Sequence, residues 1–169
     1  SLSTAPRRTG QILADSEEDF SNLQGRQGWK YGYFDGTDVG GDGNQVSPTG
    51  PYTDDNFKPM EFGETIWDFI WKVPSVQYLG LTRGGAHPQM IETNPVFAVR
   101  RWTGDVEGPV EIRGTIGLIS SEGDGVDLMI LADGVIVHRE HVLAPAVGTK
   151  PGFVRPFTCR TTLKPGTLV

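Results

Sequence analysis

The sequence predicts an all-β protein, an antiparallel β-sandwich of jelly-roll type. Glycine and proline, 23 and 12 residues, make up about a fifth of the 169 residues, against about 12% on average, which argues against long helices. Apolar side chains also alternate with polar ones in several short runs, as in strands with one buried face. Because each half-apolar sheet must cover its face on another, two packed sheets are expected.

The predicted strands follow from this alternation along the chain. The first contains Trp29, Tyr31 and Tyr33, and a second, in the Trp-rich segment 64–73, has a short amphipathic helix as its alternative. Further strands are expected over 76–82, 96–103, 110–119 and 153–163. Asp133-Gly134 supplies the positive-φ turn of a hairpin that joins the strand at 126–131 to the one beginning at Val135.

Two segments stand apart from this pattern. Residues 1–18 form a predicted N-terminal arm or tail, and residues 19–169 the β-sandwich domain. The arm is read either as a disordered leader or as a strand over 11–14 that docks on a sheet edge of its own or a neighbouring subunit. Residues 36–59 form a long polar loop, and loops of that length are usually functional or held by an ion.

Composition excludes several classes of function. The net charge of −6 disfavours binding to nucleic acid or to anionic lipid. No run approaches the about 18 apolar residues of a membrane span. The single cysteine, Cys159, rules out an intrachain disulfide and a cysteine-based zinc site. No nucleophile elbow or phosphate-binding loop is present, so we expect a protein that is not an enzyme.

Aromatic side chains are the first candidates for ligand binding, because sugar rings stack on tryptophan and tyrosine. Trp29, Tyr31, Tyr33 and Trp102 are candidates of this kind, although most such rings in a sandwich belong to the core. His87 lies in a glycine-rich loop, where it either lines a site or caps a turn.

Acidic residues in the long loop are candidate metal ligands. Asp35, Asp38 and Asp42 place carboxylates on a flexible glycine-rich loop, which suits the oxygen ligands of Ca²⁺. A plain solvated loop is the alternative. His138 and His141 are three residues apart and therefore point to opposite faces of a strand, which argues against a shared metal ion.

A spaced pattern runs along the chain. Its residues are Phe20-Ser21, Gln24-Gly25, Trp29-x-Tyr31-Gly32-Tyr33-x-Asp35-Gly36, His87-Pro88, Ala98-Val99-Arg100-Arg101-Trp102-Thr103, Gly123-Asp124-Gly125-Val126 and Ile130-x-x-Asp133-Gly134. The pattern resembles an extracellular β-sandwich module of secreted bacterial proteins, similar to carbohydrate-binding modules. The resemblance implies noncatalytic binding of a polysaccharide or other glycan outside the cell or at its surface. It adds Arg101 to the candidate ligand-binding residues.

Such modules end with a further apolar strand after one like 158–163, whereas this sequence stops at Val169. An edge left unpaired in this way invites strand addition from the arm of another chain. The alternative function is therefore a structural subunit of a fibre, virion or surface array, a homo-oligomer assembled through residues 1–18.

Overall fold

A computed structural model describes residues 10–35, 52, 54–63, 71–91, 94–118, 123–144 and 154–169. The described residues are mostly in antiparallel strands, with two short 3-10 turns at Arg26–Gly28 and Asp54–Asn56 and no α-helix. The strands are β1 (Trp29–Asp35), β2 (Lys58–Pro59), β3 (Glu61–Phe62), β4 (Trp71–Val73), β5 (Val76–Leu81), β6 (Ala86–His87), β7 (Gln89–Ile91), β8 (Asn94–Trp102), β9 (Gly108–Gly117), β10 (Val126–Ala132), β11 (Val135–Val142) and β12 (Val154–Leu163). The all-β class is confirmed.

These strands form four hydrogen-bonded sheets. Sheet 1 has the order β2-β1-β8-β7 and sheet 2 the order β3-β4-β5-β6, while β10 pairs with β11 and β12 with β9. Sheets 1 and 2 share one core, in which the ring of Tyr31 on β1 stacks on that of Trp71 on β4 at a centroid distance of 5.0 Å. Two layers that bury aromatic faces against each other give the fold a sandwich-like character.

The hairpin β10–β11 is confirmed. Asp133 and Gly134 have φ angles of 49° and 78°, which is the pair of left-handed residues that a type I′ turn requires. The turn is also tied to the end of the chain, because the Asp133 N–H donates to the Leu168 carbonyl (2.9 Å) and Leu168 N–H donates to Asp133 Oδ1 (2.8 Å). Leu128 and Ile130 of this hairpin are half-buried.

Of the predicted strand at 64–73, residues 71–73 form β4, and residues 64–70 lie outside the described part. The other predicted strands have counterparts in the structure. Those at 29–33, 76–82, 96–103, 110–119 and 153–163 correspond to β1, β5, β8, β9 and β12. Pro156 lies on β12, which pairs only with β9 among the described strands, so the proline sits on an edge as its missing N–H requires. The glycine-rich segment 83–89 that contains His87, expected to be a loop, also contains β6 and the first residue of β7.

The N-terminal segment lies against its own chain where it is described. Residues 10–20 form no strand, but Leu13, Ala14 and Phe20 pack against the core. The Arg100 guanidinium donates to the Ser16 carbonyl (3.3 Å) and to the Thr82 carbonyl (2.6 Å), and so links this segment to the end of β5. Residues 1–9 lie outside the described part, and the boundary at residue 18 stays a prediction.

Candidate functional site

Three of the rings expected to meet a ligand lie in the core. Tyr31 is fully buried, and Trp29 and Trp102 are each 9% exposed. Period-two alternation placed them correctly on one side of their strands, but that side faces sheet 2 and the N-terminal segment. A sugar ring would reach their faces only if the core opened, and ligand binding by these three rings stays a prediction.

The polar atoms of these rings hold the segment that precedes β1. Trp29 Nε1 donates to Asp19 Oδ2 at 3.3 Å, and Trp102 Nε1 donates to the Gln27 carbonyl at 3.2 Å. Trp71 Nε1 likewise donates to the Ser21 carbonyl at 2.9 Å. The tryptophans therefore act as anchors for residues 19–27 of their own chain.

Arg101 is also buried, with 8% of its side chain exposed. Its guanidinium lies 3.9 Å from the centroid of the Phe57 ring and forms an ion pair with Asp54. Its Nε has no hydrogen-bond partner among the described residues. Because the charge is covered by protein on both sides, Arg101 fastens the 54–57 segment to β8 and presents no free face to a ligand.

Two candidate residues remain accessible. Tyr33 is half-buried, and Lys58 Nζ lies 6.0 Å from its ring centroid. His87 is exposed on β6. Of the six predicted ligand-binding residues, the structure therefore leaves His87 as the one with an exposed ring.

His87 has an aromatic neighbour that sequence reasoning missed. The ring centroids of His87 and Tyr78 are 5.9 Å apart with an interplanar angle of 34°, and Tyr78 is 41% exposed. The strand register explains the pairing, because Gly80 of β5 is opposite His87 and Tyr78 lies two residues earlier on the same face. We name Tyr78 and His87 the ring pair.

The ring pair lies where the chain passes from one sheet to the other. His87 ends β6, an edge strand of sheet 2, and Gln89 begins β7, an edge strand of sheet 1, with Pro88 between them. Gln89 Oε1 accepts a hydrogen bond from the Tyr78 N–H at 3.1 Å. Met90 and Ile91, which follow on β7, are 56% and 38% exposed.

A signal for Tyr78 was present in the sequence. Leu79 and Leu81 occupy alternate positions of β5 and are each 1% exposed. Because side chains alternate across a strand, the two leucines place Tyr78 on the opposite, outer face. The alternation that predicts the strand therefore also predicts that the Tyr78 ring faces outward.

The predicted calcium ligands are only partly described. Asp35 lies 3.5 Å from Lys58 Nζ, while Asp38 and Asp42 fall outside the described residues. Where side chains are described, no three histidine, cysteine, aspartate or glutamate residues converge as a metal site would require. The calcium site stays a prediction.

Ion pairs occupy the carboxylates of the other strands. Arg160 and Arg113 both bond to Glu111 and hold the pKa of that carboxyl below its usual range. Arg155 donates to Glu140 Oε1 at 2.6 Å and likewise lowers the pKa of Glu140, with a smaller contribution from His138. These carboxylates are therefore ionised at neutral pH, which suits structural pairing better than proton donation.

The two remaining histidines and the cysteine are also accounted for. The His138 ring stacks on Phe157 at 5.5 Å, whereas His141 Nδ1 lies 3.1 Å from Asp127 Oδ1. Burial raises the pKa of the Cys159 thiol, so Cys159 resembles a small buried hydrophobe and not an activated nucleophile.

Comparison with protein families, curated proteins and solved structures gives no match for this chain. In the part of the chain that is described, no helix has the length and apolar character needed to cross a membrane.

Proposed function

We propose that this chain is a noncatalytic carbohydrate-binding module that acts outside the cell or at its surface, with the ring pair as its sugar-binding platform. The observation that supports the proposal is the exposed Tyr78 ring held 5.9 Å from His87 on two paired strands. Rings mounted on a sheet are already ordered, so a sugar that stacks on them costs little further side-chain entropy.

The surroundings of the ring pair fit a sugar better than other ligands. Stacking uses the apolar face of a sugar, and polar neighbours can bond to its hydroxyl groups. Glu61, Lys72, Gly80 and His87 follow one another in register across sheet 2, so charged groups share the outer face with Tyr78. The net charge of −6 continues to argue against nucleic acid.

The finer fold that goes with this function is a jelly-roll sandwich. Its support is the stacking of Tyr31 on Trp71 between sheets 1 and 2. Further support is that Val169 pairs with Trp102 at the end of β8. There the Trp102 N–H donates to the Val169 carbonyl at 2.6 Å and the Val169 N–H donates to the Trp102 carbonyl at 2.9 Å. An experimental structure in which the sheets do not face each other would contradict this arrangement.

The functional proposal is tested by a glycan array followed by affinity measurements on the hits. Tyr78→Ala is expected to weaken binding by about 1–3 kcal/mol, the range seen when an aromatic platform loses one ring. Leu143→Ala is the matched control, because Leu143 is 72% exposed and lies outside the ring pair. A folded wild-type protein that binds no glycan on the array would refute the proposal.

Assembly through residues 1–18 remains the alternative function. Leu13 and Ala14 pack on the core of the same chain, and an exchanged dimer would make the same contacts between two chains. The two states differ in size, so sedimentation of the full-length protein at high concentration distinguishes them. A monomer at every concentration tested would reject the assembly hypothesis.

A further inference from the structure

We propose that the ring pair binds one sugar unit of a soluble glycan chain and does not bind the flat surface of a crystalline polysaccharide. This inference rests on the proposed carbohydrate-binding function and concerns the physical state of the ligand. It follows from the width of the platform, from the angle between the rings and from what else lies on the same face of sheet 2.

The platform is narrow and not flat. Rings whose centroids are 5.9 Å apart are in mutual contact, since aromatic pairs associate at about 4.5–7 Å. They therefore act as one surface and not as two separate stacking positions along a chain. The 34° angle between their planes gives that surface a bend, on which a flat crystal face would meet only one ring at a time.

No second platform extends this surface among the described residues. Apart from Tyr78, the one other tyrosine, tryptophan or phenylalanine among the described exposed large hydrophobic residues is Phe62. Phe62 pairs in register with Trp71, which pairs with Leu81, so it shares the inner face of sheet 2. Tyr78 lies on the outer face with Gly80. The ring pair is thus the whole aromatic surface of that face where it is described.

Charged side chains on the same face favour recognition of an individual sugar. The row Glu61, Lys72, Gly80 and His87 crosses the sheet beside Tyr78. Donors and acceptors next to a stacking ring select a sugar by the positions of its hydroxyl groups. In a crystal, hydroxyl groups are already bonded to neighbouring chains, whereas those of a soluble chain are bonded to water and exchange those bonds at lower cost.

The experiment compares soluble and crystalline probes. Soluble probes are xylan, glucomannan, mixed-linkage β-glucan, galactomannan and dextran in affinity electrophoresis, with calorimetry on any that bind. Crystalline probes are microcrystalline cellulose and crystalline chitin in pull-down assays. The proteins are the full chain, Tyr78→Ala, Tyr78→Phe and the control Leu143→Ala, each checked for an unchanged far-ultraviolet dichroism spectrum.

The expected result is binding to at least one soluble probe and none to the crystalline ones. Tyr78→Ala should weaken that binding at least about fivefold, while Tyr78→Phe, which keeps the ring, retains it. Depletion of the wild type by a crystalline probe, lost in Tyr78→Ala, would overturn this inference and leave the proposed function intact. If neither the soluble nor the crystalline probes bind, or if Tyr78→Ala does not weaken the binding, both this inference and the proposed function are overturned.

Discussion

Gln24 offers a sharp test of how the fold is held together. Its side-chain amide takes the place of a strand partner beside β1, because Oε1 accepts from the Tyr31 N–H at 2.8 Å and Nε2 donates to the Tyr31 carbonyl at 2.7 Å. Nε2 also lies 3.2 Å from the Met60 carbonyl. The amide therefore continues the ladder at the point where β2 ends at Pro59.

Gln24→Ala removes all three contacts, but they do not count equally. The Tyr31 carbonyl keeps its bond from the Met60 N–H at 3.0 Å, so the loss of the Gln24 Nε2 donor at that carbonyl costs little. The Tyr31 N–H is left without its partner at the edge of the core. An unsatisfied buried donor costs about 1–3 kcal/mol, and we expect unfolding to become easier by about 2 kcal/mol. For a protein of this size, that corresponds to a melting temperature lower by about 4–8 °C.

Chemical denaturation followed by tryptophan fluorescence measures this change. The matched control is Gln77→Ala, the same chemical change at an exposed position of β5, for which we expect a shift within about 0.5 kcal/mol. If Gln24→Ala is as stable as Gln77→Ala, the amide does not support the ladder and the reasoning is wrong.

Three further predictions use other contacts. Trp71→Phe keeps the stack on Tyr31 but loses the 2.9 Å bond to the Ser21 carbonyl, and should destabilise the protein by about 1–3 kcal/mol in the same denaturation assay. Arg155→Gln should raise the pKa of Glu140 towards the ordinary 4.5. A carboxyl group with a lowered pKa stabilises the fold when the pH is above its ordinary pKa, and that stabilisation is lost as the pH falls through the lowered pKa. Because the variant lacks this contribution, its free energy of unfolding should fall less in acid. An NMR titration of the Glu140 carboxyl checks it. Arg100→Ala should speed cleavage of the segment near residues 17 and 18 by a glutamyl endopeptidase, since its guanidinium holds that segment; an unchanged cleavage rate would contradict that role.

The sequence was sufficient to predict the features that depend only on residues close to one another in the chain. The positive-φ turn at Asp133-Gly134 and the alternation on either side of it define the hairpin β10–β11 without reference to any other element. The same alternation located β1 and β5. These features depend on backbone sterics and on side-chain period, both of which can be read from neighbouring residues.

The surface that faces a ligand could not be predicted in this way, because it depends on contacts between distant parts of the chain. Alternation assigns Trp29, Tyr31 and Tyr33 to one side of β1, but it does not say whether another layer will cover that side. That was decided by the packing of sheet 1 on sheet 2 and by the indole bonds to residues 19–27. Burial is a property of pairs of surfaces distant in sequence, so only the tertiary structure could place the tryptophans inside and bring Tyr78 beside His87.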